Sequence, residues 1–438
     1  VFLNKPPVRK MKDVEANKTT TRLKRYATVT SAVGGSVARA ATDKLLGRDA
    51  DHSLQAKAMT KALGRLKGPV MKIAQMLSTI PDAVPIEYAL EFQSLQADAP
   101  AMGWPFVRRR MAVELGPDWQ SNFRSFDHEA TSAASLGQVH KATSLENELL
   151  ACKLQYPDMI STVQADLNQL KLALKIYEAT LGGIKTASVF EEISGRLSEE
   201  LDYKKEAENL DTFRDIFKSR SDIRVPTVYS ALSTNRLLTM SWLEGTPLRG
   251  ILETSQEYRN RMAKLAFKAW YYPFFHHQII HGDPHLGNYS FRQESLHGDE
   301  GINLFDFGCV RRFEKPFLQG VKDLYHALDQ GDKALEVHAY ETLGFKELSN
   351  EMLDVLRLWA TLLYEPVLDD RVRPMQKDHS GIYGRETADK VHQELKKLGG
   401  VSPPREFVFM DRAAVGVGSL CLHLKAEANW YRLYNELM

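Results

Sequence analysis

The chain has 438 residues, 43% hydrophobic and 26% charged, an ordinary balance for a soluble globular protein with a substantial core. Its formal charge is +1, from 57 basic and 56 acidic residues, so composition gives no argument for binding nucleic acid. The cysteines Cys152, Cys309 and Cys421 are too far apart to suggest a disulfide framework. No run reaches the roughly 18 apolar residues of a spanning helix.

Residues 1–50 read as a basic, partly flexible segment. VFLNKPPVRKMKDVEANK lacks the apolar core of a secretory signal. Ten basic against three acidic residues over 1–45 suit a solvated tail or a patch meeting anionic lipid. Residues 51–120 read as a helical extension: SLQAKAMTKALGRLKGPVMKIAQMLSTI, a break at PDAVP, IEYALEFQSLQADA, then PFVRRRMAVEL opened by Pro105.

The pattern changes near 121. QVHKAT and ELLACKLQ read as strands joined by the LEN turn, followed by helical stretches from 158 to about 180 and around 187–218. RVPTVYSALSTNRLLTMSWLEGTPL adds two strand-like runs, so 121–248 forms a small mixed lobe with a helical insertion. Residues 249–438 are mainly helical, interrupted by IHGDPHLGNY and GINLFDFG. A small strand-bearing part before a larger helical one predicts an α+β fold of two lobes with a cleft.

Four features carry the chemistry. Alternation puts Lys153 on the same strand face as Ala151, aiming an amine among apolar neighbours. In EELDYKKEAENL, Glu206 is able to pair with that amine, and Glu200 and Asp202 to reach a cleft from a helix end. Asp283 and Asn288 sit five residues apart in the quoted loop, and Asp306 follows an apolar strand in LFDFG. Two carboxylates and a carboxamide suit a hard divalent cation such as Mg2+, which takes oxygen ligands and bridges phosphates. A zinc site built from His276, His277, His281 and His285 would leave Lys153, Asn288 and Asp306 without roles. Individually, each feature has a plain reading: a snorkelling lysine, a solvated acidic helix, a polar loop.

From about 60 to 330 the order of these motifs resembles the ABC1/ADCK/UbiB (COQ8-like) family of atypical kinase-like proteins. KIAQ carries Lys72 and Gln75 of the family's Lys-x-Gly-Gln signature, with Ala74 where glycine is usual. SAASLGQVH is similar to the alanine-rich loop that replaces the glycine-rich nucleotide loop of protein kinases. Ala133, Ala134, Ser135 and Gly137 fit it, and Thr131 and Ser132 depart from it. The resemblance implies that Lys153 pairs the nucleotide's α/β phosphates, Glu206 orients it, and Glu200-x-Asp202 is the family's own acidic pair. It assigns Asp283 to the catalytic loop and Asn288 and Asp306 to the metal, with Met240 to Leu243, including Trp242, along the adenine edge. Core packing is an equal reading for Trp242 and Leu243.

The implied fold is a protein-kinase-like two-lobed α+β fold with an N-terminal helical extension, and the implied cofactors are ATP or ADP with Mg2+. His-Gly-Asp replaces His-Arg-Asp and no Ala-Pro-Glu follows Gly308, which argues against ordinary protein phosphorylation. The expected activity is that of an ATPase or a small-molecule or lipid kinase supporting ubiquinone or isoprenoid-lipid metabolism. A small-molecule phosphotransferase of the aminoglycoside or choline kinase type shares only the His-Gly-Asp…Asn loop. A non-catalytic nucleotide-gated scaffold stays open. Expected partners are an adenine nucleotide, quinone-pathway proteins or lipid, and no nucleic acid. The polar C-terminal stretch CLHLKAEANWYRLYNELM suggests a cytoplasmic protein with at most peripheral membrane contact.

Overall fold

A computed structural model describes residues 101–133, 136–157, most of 159–171, 186–376, part of 390–398 and 404–438. The described chain divides into two compact units. The first ends at Lys205 and takes in Val228–Trp242; the second comprises Glu206–Thr227 and Leu243–Met438.

The first unit opens with α1 (Trp104–Leu115), which has Pro105 in its first turn and ends at Gly116, φ 95°. Pro105 fits because the first-turn amides have no helical partner, and Gly116 takes a left-handed angle that costs other residues energy. The sheet contains β1 (Ser125–Phe126), β2 (Ser132–Ala133), β3 (Gly137–Thr143) and β4 (Leu149–Gln155). After β5 (Ile223–Arg224), which belongs to the second unit, β6 (Leu237–Ser241) completes it. The order is β1-β3-β4-β6, with β2 also on β3, all antiparallel.

Register decides what each face carries. Val139, Lys153 and Leu238 lie opposite one another, as do Lys141, Ala151 and Met240, so these six side chains share one face. The alternate residues Ala142, Leu150, Cys152, Leu154 and Leu237 bury the other face against Val107 and Met111 of α1, with Trp119 and Phe123. Burying each such Leu, Met or Phe side chain contributes about 1.5–3 kcal/mol. The strand expectations for QVHKAT and ELLACKLQ correspond to β3 and β4.

The helical stretch expected around 187–218 is two helices, α2 (Thr186–Glu200) and α3 (Tyr203–Phe217). The break has a local cause: the Asp202 carboxylate accepts the Lys205 backbone N–H at 3.0 Å and so caps α3.

The second unit holds α4 (Gln256–His277), β7 (Ile279–His281), β8 (Tyr289–Arg292), β9 (Gly301–Leu304) and β10 (Val310–Arg312). β8 pairs antiparallel and β5 parallel with β9, while β7 pairs antiparallel with β10. Buried Arg292 ties the three-stranded sheet together. Its guanidinium donates to Asn303 Oδ1 at 2.7 Å, Ile302 O at 3.1 Å and Ser221 O at 2.6 Å.

The remainder is α5 (Lys315–Gln330), α6 (Lys333–Thr342), α7 (Asn350–Tyr364), β11 (Arg373–Pro374), α8 (Arg405–His423), β12 (Glu427–Ala428) and α9 (Trp430–Leu437). Trp270, Phe274, Tyr325, Trp430 and Tyr434 are fully buried at its centre. Reading 249–438 as helix broken at two places missed the β7–β10 and β11–β12 pairs; strands of two or three residues carry no readable period. No helix among the described residues is long and apolar enough to cross a membrane.

Candidate functional site

In the second unit, two short strand pairs bring Asp283, Asn288 and Asp306 to one locality. The β8–β9 register sets Tyr289 opposite Leu304, so the residues just beyond that pair are adjacent: the Phe305 N–H donates to Asn288 O at 2.9 Å. Asn288 Nδ2 donates to Asp283 O at 2.8 Å, closing the loop between them. With its nitrogen committed there, the carboxamide presents its oxygen as the end suited to a hard cation.

His281, on β7, fastens the loop from below. It accepts the Asp283 N–H on Nδ1 at 3.3 Å and has Nε2 3.0 Å from Phe305 O, a pattern that requires the Nε2–H tautomer. Burial raises the Tyr289 hydroxyl pKa, and the nearby Asp283 charge adds to the rise. Gly282 accounts for His-Gly-Asp. Its N–H donates to Cys309 O at 2.7 Å, and a Cβ there would lie 2.9 Å from Cys309 Sγ and 3.2 Å from Cys309 O.

Asp306 adopts φ 56°, left-handed backbone that few non-glycine residues occupy, and its Oδ1 accepts the Gly308 N–H at 3.4 Å. The next residue, Phe307, is fully buried between Phe213 of α3 and His281, with ring centroids 4.8 Å and 4.9 Å away. Asn209, also on α3, donates to Phe307 O at 2.8 Å. Glu206 lies one turn earlier on that helix and is buried. Sequence reading missed Asn209 and Phe213. Their spacing from Glu206 along one helix was a signal, but only contact with the Asp-Phe-Gly backbone gives it meaning.

In the first unit, Lys153 lies with Ala151 and Met240 on the sheet face turned away from α1. Its ammonium stands 5.3 Å from the ring centre of buried Tyr203. Gln155 Nε2 donates to Leu201 O at 3.2 Å, fastening the junction that carries Glu200 and Asp202 to the Lys153 strand. Gly137 opens β3 where a Cβ would lie 2.6 Å from Leu154 O and 2.8 Å from the Tyr203 hydroxyl, so close packing alone demands glycine there. Ala133 is on β2, opposite Gln138. Trp242 follows β6, donates its backbone N–H to Leu149 O at 2.8 Å, and has the Lys141 ammonium 4.7 Å from its ring. Ala134, Ser135, Lys72 and Gln75 lie outside the described residues.

With this arrangement in view, the comparisons with known proteins give it a family. The ABC1 atypical kinase-like domain matches residues 94–338, more than half of the chain, and the protein belongs to that family. It is 27% identical over 390 residues to the atypical kinase coq-8, mitochondrial, of Caenorhabditis elegans, which covers 86% of this chain and 50% of that one. It is 25% identical over 382 residues to the atypical kinase COQ8, mitochondrial, of Saccharomyces cerevisiae, covering 86% and 75%. The solved structure of the Mycobacterium tuberculosis protein Rv3197 with erythromycin superposes with TM-score 0.62 at 24% identity, covering 89% of this chain and 98% of that one. The fold is thus kinase-like as well as α+β. The chain spans half or less of the length of several relatives, including 46% of a zebrafish COQ8B.

Proposed function

We propose that the protein is a Mg2+-dependent, adenine-nucleotide-using ATPase or small-molecule or lipid kinase that supports ubiquinone or isoprenoid-lipid metabolism. The observation that carries the nucleotide chemistry is the convergence of Asp283, Asn288 and Asp306 through the Asn288–Asp283 and Phe305–Asn288 hydrogen bonds. Asn288 and Asp306 supply oxygen donors of the kind Mg2+ takes, and the bound ion would neutralise charge on the phosphate oxygens. Asp283 is assigned to orient a water or an acceptor hydroxyl. Lys153 is assigned the α/β phosphates, Glu206 the orientation of that lysine, and Met240 and Trp242 the adenine edge. Ala133, Ala134, Ser135 and Gly137 are assigned the phosphate loop; Lys72, Gln75, Glu200 and Asp202 are assigned the family's cover over the nucleotide. The quinone or lipid pathway rests on family likeness alone.

Isothermal titration of ATP and ADP into wild type, Asp306→Asn and Lys153→Ala, with and without Mg2+, tests the reading. Asp306→Asn is expected to lose the Mg2+-dependent part of the affinity and Lys153→Ala to weaken both nucleotides. Equal affinities in wild type and Asp306→Asn under both conditions would refute it. Incubation with Mg-ATP and lipid extracts, following free phosphate and labelled acceptor together, separates ATPase from kinase.

A further inference from the structure

Helix α8 lies beyond the 94–338 segment that defines the family, yet it meets the Asp283 loop. In its interior stands Gly416. Glycine is among the poorest helix formers, so its place there calls for a reason. A Cβ on Gly416 would lie 2.4 Å from Cγ of Pro284, a buried residue. The proline ring is tied to its own backbone and has no rotamer by which to retreat. Gly418 gives the contrast: a Cβ there would meet Met375 Cγ at 3.8 Å, an ordinary contact.

A second contact falls on the same face of the helix. Phe409, Ala413, Gly416 and Leu420 recur every three or four residues, and Ala413 and Leu420 are fully buried. The Arg311 guanidinium stands 4.5 Å from the Phe409 ring centre. Arg311 lies on β10 opposite Ile280, and its Cγ would be 3.5 Å from a Cβ on Gly282. Helix α8 thus meets both neighbours of Asp283: Pro284 directly, and Gly282 through Arg311. Between them, the Asp283 backbone donates to His281 Nδ1 and accepts from Asn288 Nδ2.

We infer that Gly416 is a positioning residue: by letting α8 close on Pro284, it fixes Asp283 for turnover without contributing to nucleotide affinity. This rests on the proposed role of Asp283 in orienting a water or an acceptor hydroxyl. Ordinary contacts begin near 3.4 Å, so an alanine at 416 would part helix and loop by about 1 Å. A misplacement of that size at a reacting group costs up to about a hundredfold in rate. The nucleotide itself is assigned to other groups, among them Lys153 and the metal ligands Asn288 and Asp306.

Turnover of labelled Mg-ATP by the full chain in lipid extract, with free phosphate and transferred label counted together, tests this beside nucleotide titration and thermal melts. Gly416→Ala is expected to lower kcat by about tenfold to a hundredfold, with Mg-ATP and Mg-ADP affinities within about twofold of wild type. Gly418→Ala, which makes the same change two residues away, is expected to keep kcat. Adding Pro284→Ala to Gly416→Ala removes the clashing Cγ and is expected to recover part of the lost rate. A merely structural contact would lower the melting temperature and leave the folded protein's kcat alone. Phe409→Leu keeps the inference testable if Gly416→Ala does not fold: it is expected to lower kcat by about twofold to fivefold, the range of a cation–π contact, with affinity kept. Wild-type kcat in Gly416→Ala or in Phe409→Leu, an equal loss in Gly418→Ala, a matching loss of nucleotide affinity, or no recovery in the double variant would each overturn it. No binding and no turnover of Mg-ATP by wild type would instead refute the proposed activity, and this inference with it.

Discussion

Asp306 occupies left-handed backbone at φ 56°, a conformation that costs an L-residue roughly 1–2 kcal/mol and is held only where its surroundings insist. Asp306→Gly should therefore melt at or above the wild-type temperature, while Mg2+-dependent nucleotide stabilisation disappears. Parallel thermal melts with and without Mg-ATP read both effects. A large drop in the apo melting temperature would make Asp306 a structural residue first. Gly282 makes the opposite case, because its missing side chain is what lets β7 lie against Cys309. Gly282→Ala should cost about 1–3 kcal/mol, as overpacking does, and Cys309→Ala in the same chain should restore part of it by removing Sγ.

Asp411 adds a pH dependence. Its carboxyl titrates at about 7 in the folded protein and near the usual carboxylate value when unfolded. Between those values the folded state holds the extra proton, so stability falls as pH rises through the window and levels off above about pH 7. The slope is at most about 1.4 kcal/mol per pH unit. Asp411→Asn should flatten it in denaturant unfolding at pH 5, 6 and 7.

At the scale of elements, α3 ties the acidic run to the Asp-Phe-Gly segment. Asn209 holds Phe307 O, and Phe213 packs on the Phe307 ring. Asn209→Leu leaves the Phe307 carbonyl without its donor, a loss of about 1–3 kcal/mol. Because that carbonyl is one residue from Asp306, phosphate release should fall by more than the melting temperature predicts. Equal nucleotide-stimulated release in wild type and Asn209→Leu would reduce the bond to packing. These links also mark what sequence alone could and could not give. The order of Lys153, Glu206, Asp283, Asn288 and Asp306 was legible because each motif is local and chemically distinctive. Tyr203 under Lys153 and Asn209 on Phe307 were not, since a ring contact or a bond across 98 positions leaves no periodic trace. The family resemblance assigned Gly137 to a nucleotide loop, whereas its packing against Leu154 O depends on strand register.

Across the whole molecule, the proposed catalytic and membrane roles draw on different parts of the chain. The assigned polar residues from Lys153 to Asp306 fall inside the family segment 94–338, whereas the excess of basic residues falls in 1–45, outside the described residues. We propose that this N-terminal stretch carries the protein to anionic lipid. Each Lys or Arg near such a surface contributes about 1 kcal/mol, and the attraction decays within a Debye length. Replacing Lys18, Arg22, Lys24 and Arg25 with Gln in the full chain should lower partitioning onto phosphatidylserine vesicles at low salt by more than about tenfold. Binding of wild type should fall towards the same level as salt rises, and neutral phosphatidylcholine vesicles should recruit neither protein. Flotation of both proteins across a salt series reads this directly. Equal recovery of the two with anionic vesicles at low salt would move the contact elsewhere on the molecule. Salt-independent recovery of wild type would assign it to apolar insertion instead of charge.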